Sequence, residues 1–197
     1  MKFHPCKSRY FFIKRVGGAM NINTNWYVIT GGPSSSKTKI IEYLAFLGYP
    51  VIPEVARVLI DIEKSKGKTT GEIRSNEAEF QKRVLQMKIR VENIMPAEQT
   101  TFFERGIPDS IAYYEICGEN QSPVIEASRK RKYKGVFLLE QLPFEKDYAR
   151  IENEQLAQNL NRLLYEAYSS LEYNIIHVPL KPIEERAQFI LNKIGER

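Results

Sequence analysis

Val28-Ile29-Thr30-Gly31-Gly32-Pro33-Ser34-Ser35-Ser36-Lys37-Thr38 opens on a β-branched run and closes on a lysine and a threonine. With Trp26 and Tyr27 ahead of it, the apolar run is too short for a helix and is bounded by glycines, which predicts a buried strand. Beyond the loop, Ile40, Ile41, Leu44 and Leu47 fall at helical spacing and Gly48 supplies a stop. Between strand and helix, Gly31 and Lys37 stand at the spacing G-x-x-x-x-G-K-[ST]. A polyphosphate is a dense anion, and successive backbone N–H groups, a helix N-terminus and one lysine hold it well. The expectation is that Gly31, Gly32, Pro33, Ser34, Ser35, Ser36, Lys37 and Thr38 line a nucleotide's phosphates. Lys37 would reach the β- and γ-phosphates, and the Thr38 hydroxyl would ligate Mg²⁺.

One position departs from the pattern. Ser36 stands where the motif has glycine. It keeps the N–H but adds a Cβ, at about 1 kcal/mol or more if φ is positive there. Weaker nucleotide binding or a reshaped loop would follow.

Working outward, Val51-Ile52, Thr101-Phe102-Phe103, Gly135 to Leu139 and Asn174 to Val178 read as four further short strands. Val55 to Ile60 reads as helical, followed by a polar loop from Lys64 to Thr70. Asn76 and Glu79 form a capping pair for a long helix with the apolar stripe Phe80, Val84, Met87, Val91, Ile94. A later helix carries Leu156, Leu160, Leu163, Ala167 and Leu171, and a last one runs to the C-terminus. Short apolar strands alternating with helices predict an α/β fold with a parallel sheet covered on both faces.

In such sheets ligands bind beyond the carboxyl ends of the strands, and the notable residues all fall there. Glu54 follows the second strand, three residues before Arg57. A carboxylate facing bound phosphate accepts the proton of a substrate hydroxyl or ligates Mg²⁺, with the cation beside it touching substrate; the competing reading is a charge at a helix start. Glu104 follows the third strand, where an acid orders Mg²⁺ through water, and Arg105 beside it suits substrate or the transferred phosphate. Asp109 is either a further substrate contact or the start of the next helix. Arg150, between the fourth strand and its helix, suits a flap that closes over the phosphoryl group.

The 197 residues suit one domain, expected over residues 23–197 behind a basic extension at residues 1–22. That extension reads as a flexible tail, a targeting peptide, or the product of a start codon upstream of Met20. The net charge of +5 owes much to the extension: no acid precedes Glu42. This argues against a nucleic-acid partner. The basic run Arg129-Lys130-Arg131-Lys132-Tyr133-Lys134 reads as a solvated helix end. Two cysteines and two histidines, far apart, make neither a disulfide framework nor a metal site, and suit a reducing, cytoplasmic compartment. No apolar run approaches the roughly 20 residues that span a bilayer.

Taken together, the stretches from Val28 to Thr38, from Tyr49 to Arg57, from Phe102 to Ser110, from Leu142 to Arg150 and from Val178 to Ile190 resemble an AAA-type ATPase/kinase domain. That family includes the ribosylnicotinamide-kinase half of the NadR proteins and the nucleotide-binding half of a fly TRP-channel translocation protein. The Pro-Glu at 53–54 and Glu-Arg at 104–105 are also similar to the deoxynucleoside kinases. The resemblance runs from about Trp26 to Ile194 and implies a kinase-like P-loop NTPase with a five-stranded parallel sheet. It further implies ATP or GTP with Mg²⁺, Glu54 as catalytic base, Arg105 as phosphate ligand and Arg150 as lid arginine. Neither a helix-turn-helix nor an adenylyltransferase pattern is read here, so the NadR regulatory role is not implied.

Three functions stay open on these residues: a small-molecule kinase acting on a hydroxyl of a nucleoside-like metabolite, a nucleotide-dependent switch or NTPase acting on a protein or lipid partner, and a binding module without catalysis. The absence of N-K-x-D weakens a Ras-like reading. A homodimer is compatible with all three.

Overall fold

The computed structural model describes residues 22–140 and 154–196. Its centre is a five-stranded, wholly parallel sheet. The strands are β2 (Trp26–Thr30), β3 (Val51–Ile52), β4 (Thr101–Glu104), β6 (Gly135–Leu139) and β7 (Ile175–Val178), in the spatial order β3-β4-β2-β6-β7. Two further short strands, β1 (Ile22–Asn23) and β5 (Arg131–Lys132), pair in parallel beside it. Ile22, assigned to the extension on sequence, is thus tied to the basic run, which begins at a helix end, with Arg129 following the helix Ser122–Ser128, and continues as strand at Arg131–Lys132.

The helices are α1 (Lys37–Phe46), α2 (Val55–Ser65), α3 (Thr70–Ile73), α4 (Glu77–Ile94), α5 (Asp109–Ile116), α6 (Ser122–Ser128), α7 (Glu154–Ser170) and α8 (Ile183–Ile194). Successive strand residues face opposite ways, so one strand feeds two cores. Tyr27, Ile29, Phe102, Phe137 and Leu139 pack with Ile40, Ile41 and Leu44 of α1 and Ala187, Ile190 and Leu191 of α8. Trp26, Val28, Phe103 and Val136 face the other way, against Tyr133, Tyr168 of α7 and Val91 of α4. Each such apolar side chain, fully buried, contributes roughly 2 kcal/mol. The resulting sheet is covered on both sides, which explains strands that are apolar throughout rather than alternating.

Three local expectations need correcting. Helix α2 runs on to Ser65 and Thr69 starts α3 with a reciprocal capping box to Glu72, so the polar segment from Lys64 to Thr70 is not a plain loop. Asn76 caps α4 by accepting from the Glu79 amide at 3.0 Å. The stripe of α4 is rotated: Gln81, Lys88 and Glu92 are buried with Phe80, Val84 and Leu85, while Ile94 is 81% exposed. The cause lies in the turn after β4, which sits over this helix and presents polar backbone to it. Lys88 Nζ donates to the Gly106 carbonyl at 2.7 Å and to Ser110 Oγ at 3.1 Å. On α1, Leu47 follows the helix end and is largely exposed. Among the described residues no helix is long and apolar enough to cross a membrane.

Candidate functional site

The site lies at the carboxyl edge of β2, β3 and β4. Register explains why: Ile29 of β2 pairs with Glu104 of β4, so the loop leaving β2 and the acid ending β4 emerge side by side. Gly31 takes φ 144°, and a Cβ there would stand 2.8 Å from the Leu139 carbonyl oxygen. A side chain at 31 would therefore wedge the loop off the end of β6.

The loop then turns through two left-handed serines, Ser34 at φ 59° and Ser36 at φ 64°. Ser36 also opens α1, with its carbonyl accepting from Ile40 N at 3.1 Å and no side-chain cap. The departure from the motif thus falls on a backbone conformation that glycine adopts freely, and serine bears about 1–2 kcal/mol of strain there. Several contacts hold the loop in place. Ser35 Oγ donates to the Gly32 carbonyl at 2.9 Å, and Asn161 of α7 accepts from the Gly32 amide at 3.1 Å. Arg186 of α8 donates to the Ser35 carbonyl at 3.0 Å.

Lys37 is buried and turned inward, donating to the Gly32 carbonyl at 2.8 Å and Ser35 Oγ at 3.1 Å. Burial, with the Arg105 charge adding to it, pulls its ammonium down to about 7 against the opposing pull of Glu54, Glu104 and Asp109. Thr38 Oγ1 donates to Glu104 Oε1 at 2.7 Å. The other oxygen, Glu104 Oε2, is buried with no hydrogen-bond partner. Burial, and then the neighbouring Glu54 charge, raise the Glu104 carboxyl.

Across from the loop, Glu54 is the residue before α2, yet its side chain caps nothing. Its carboxylate is clamped instead, accepting from Arg105 Nε at 2.8 Å and Arg57 Nε at 3.0 Å. Burial alone would raise this carboxyl, but Arg105, Lys37 and Arg57 outweigh it and hold it down at about 2. Arg105 sits in the left-handed region at φ 65°, which turns its side chain back toward Glu54. Its Nη1 donates to Asp109 Oδ1 at 3.0 Å, and Tyr113 lies 5.5 Å from the guanidinium.

Asp109 does not meet the cleft. It is fully buried, accepting from Thr30 Oγ1, Arg105 Nη1, the Gly106 amide and the Tyr168 hydroxyl. Of its two readings the start of the next helix holds, since α5 opens on Asp109; as a substrate contact it is corrected, because its carboxylate fixes the turn that carries Arg105. Lys37, Thr38, Glu54, Arg57, Glu104 and Arg105 are brought together by direct contacts or mutual charge. Arg150 lies outside the described residues.

Behind Arg105 lies a second polar layer that sequence reasoning missed. Tyr133 donates to Glu92 and accepts from the Ile107 amide at 2.9 Å. Gly106 lies so close that a Cβ there would stand 2.7 Å from the Tyr133 oxygen. Burial pushes the Glu92 carboxyl up to about 7, although Tyr133, Arg131 and Lys88 work against it. As pH rises from about 4.5, the unfolded chain gives up this proton first and the folded chain keeps it until about 7, so stability falls across that window and levels off above it. Glu92→Gln keeps an acceptor for Tyr133 and removes the titration. We expect it to gain on the order of 2–3 kcal/mol relative to wild type between pH 4.5 and 7, read from urea midpoints. Parallel pH profiles for the two proteins would refute this.

Asn161 and Arg186 were also missed. The signal for Arg186 was present: it falls within the spacing Ile183, Ala187, Ile190 and Leu191, a charge in an otherwise core-facing stripe.

Comparison with known proteins bears on the fold and the family. The chain matches a deoxyadenosine kinase from M. mycoides, solved with the products dCMP and a flexible dCDP, at 14% identity and a TM-score of 0.60, covering 86% of this chain and 98% of that one. It also matches a NadR protein solved in complex with NR, at 12% identity and a TM-score of 0.66, covering 87% of this chain. It spans 50% of that NadR chain. At such identities these likenesses show the fold alone. No curated protein matches the sequence. A family model of the AAA domain matches residues 26–186, which spans the phosphate loop, the Glu54 and Glu104 strand ends and Arg186. The chain belongs to this AAA domain family of P-loop proteins.

Proposed function

We propose that this protein is a Mg²⁺-dependent kinase that transfers the terminal phosphoryl group of ATP or GTP to a hydroxyl of a nucleoside-like metabolite. The observation that carries the reading is Glu54, a carboxylate held by Arg105 and Arg57 and close enough to Lys37 for their charges to interact. A simple nucleotide hydrolase has no need of such an acid on the far side of its phosphates. With its carboxyl near 2, Glu54 is ionised at every physiological pH. It orients the acceptor hydroxyl by taking its hydrogen bond, and receives the proton as the oxygen–phosphorus bond forms and the bond to the nucleoside diphosphate breaks. Arg105 and Arg57 hold that carboxylate in place. Lys37, swung outward, steadies the phosphates.

The donor set also fits Mg²⁺. Glu104 Oε2 is an orphaned, buried carboxylate oxygen beside the Thr38 hydroxyl, and Mg²⁺ takes hard oxygen donors. Among the described residues no three His, Cys, Asp or Glu side chains cluster, which suits an ion held mostly by phosphate and water. Thr38 and Glu104, through water, would hold it, and it would neutralise charge on the phosphates. The partners implied are a nucleotide and a small polar acceptor.

A nucleotide-dependent switch is the second reading, favoured by a loop whose lysine is satisfied internally. A panel of nucleosides and other polyols separates the two: the kinase reading expects ATP or GTP consumption that depends on a hydroxyl compound. Consumption that ignores the whole panel would sink it. For the loop, Lys37→Ala removes the one ammonium among the loop residues. It is expected to weaken nucleotide binding about 30–100-fold and to abolish nucleotide-dependent thermal stabilisation. An unchanged thermal shift would overturn the assignment.

A further inference from the structure

Arg186 is 1% exposed, sits on the apolar face of α8, and has carbonyl oxygens rather than a carboxylate as its hydrogen-bond acceptors. Nη1 donates to Ser35 O at 3.0 Å and Nη2 to Glu140 O at 3.2 Å, while Nε is buried with no hydrogen-bond partner. Burial lowers its pKa, opposed by the charge of Glu140. A buried cation so incompletely matched is a poor way to fill a stripe otherwise made by Ile183, Ala187, Ile190 and Leu191. What it holds is informative: the carbonyl it takes belongs to the residue between the two left-handed serines.

We propose that Arg186 is a positioning residue for phosphate binding: it clamps the Ser35–Ser36 peptide in the anion-binding orientation that glycine at 36 would otherwise adopt unaided. In a trans peptide the C=O and the following N–H point in opposite directions, and no peptide bond among the described residues is cis. Drawing the Ser35 carbonyl toward α8 therefore aims the Ser36 N–H away from α8, to the side where successive loop amides gather an anion. Serine at φ 64° resists that geometry, because its Cβ disfavours positive φ. Released from Arg186, the peptide would relax toward negative φ and turn its N–H out of the nest. The same guanidinium binds the carbonyl of Glu140, the residue after β6, so the loop is referenced to the sheet as well as to its own internal contacts.

The inference rests on the phosphate-loop reading, and the test keeps the two apart. Arg186→Met preserves length and apolar packing while removing the donors. Binding of AMP-PNP with Mg²⁺ is measured by calorimetry for wild type, R186M, S36G and the double variant, beside the thermal midpoint of each unliganded protein. R186M is expected to lose at least tenfold in affinity with its unliganded midpoint near or above wild type. In the S36G background the same substitution is expected to lose no more than about threefold, because glycine keeps φ positive without help. Unaltered affinity in R186M overturns the clamp. So does an equal loss in both backgrounds, which is the signature of charge alone. Where wild type binds GMP-PNP and not AMP-PNP, the four proteins are compared with GMP-PNP. Absence of binding of both analogues in wild type overturns the phosphate-loop reading instead; the clamp is then decided by the crystal structure of R186M, where an unmoved Ser35–Ser36 peptide refutes it and a flipped one supports it.

Discussion

Glu54→Gln is expected to lower hydroxyl-dependent phosphoryl transfer by about 10²–10⁴-fold while leaving the nucleotide-induced thermal shift in place. The amide matches the carboxylate in shape and still accepts a hydrogen bond from Arg105, but it cannot take a proton. The Asp109 anchor of Arg105 is untouched, so the fold should survive. The depressed carboxyl adds a pH signature. Because Glu54 titrates near 2 rather than near 4.5, its contribution to stability is complete above about 4.5 and fades only as pH falls toward 2. Turnover between pH 5 and 8 should therefore show no limb from this acid, and the ratio of wild-type to variant rates should stay flat across that range. A variant within threefold of wild type would remove Glu54 from the chemistry.

Arg105→Met is expected to destabilise the protein by about 3–5 kcal/mol, because it leaves the buried Asp109 carboxylate without its cation and takes from Glu54 one of the two guanidiniums that clamp it. Asp109 is fully buried and Glu54 half-buried. Thr30, the Gly106 amide and Tyr168 still donate to Asp109, but none of them carries charge. Neutralising that acid should recover part of the loss, so D109N combined with R105M is expected to be less damaging than the sum of the two single changes. Urea unfolding of the four proteins measures both quantities. A loss below 1 kcal/mol, or strict additivity, would mean that the Glu54–Arg105–Asp109 chain does not act as a unit.

Sequence reading reached as far as local rules reach. The strand Trp26–Thr30, the short Val51–Ile52 and the Gly135–Leu139 run were legible because a strand buried on both faces is a short apolar block between breakers. The loop was legible because its donors are consecutive in the chain. The partnership of Glu54 with Arg57 was visible at three residues' separation, whereas its partnership with Arg105, 51 residues away, required the sheet order. Lys88 and Glu92 were overlooked because the apolar stripe of α4 was fitted to hydrophobic residues alone. The helix turns these two charges inward since the Arg105–Ile107 turn and Tyr133 offer them hydrogen bonds. The two readings of Asp109, substrate contact and helix start, could not be separated for a related reason: being next to a site in sequence does not say which way a side chain leaves the backbone. Arg186 lies 151 residues from the carbonyl it holds, and without coordinates only its position in an apolar stripe marked it.

The inward turn of Lys37 sets a rule for what can occupy the loop. Its ammonium already has two internal acceptors, Gly32 O and Ser35 Oγ, and a ligand must replace both before the charge is available. Apparent affinity is then reduced by the fraction of molecules with the lysine released. On the kinase reading, the nucleotide's phosphate oxygens take over from Gly32 O and Ser35 Oγ, so release of the lysine and occupation of the loop are one linked event.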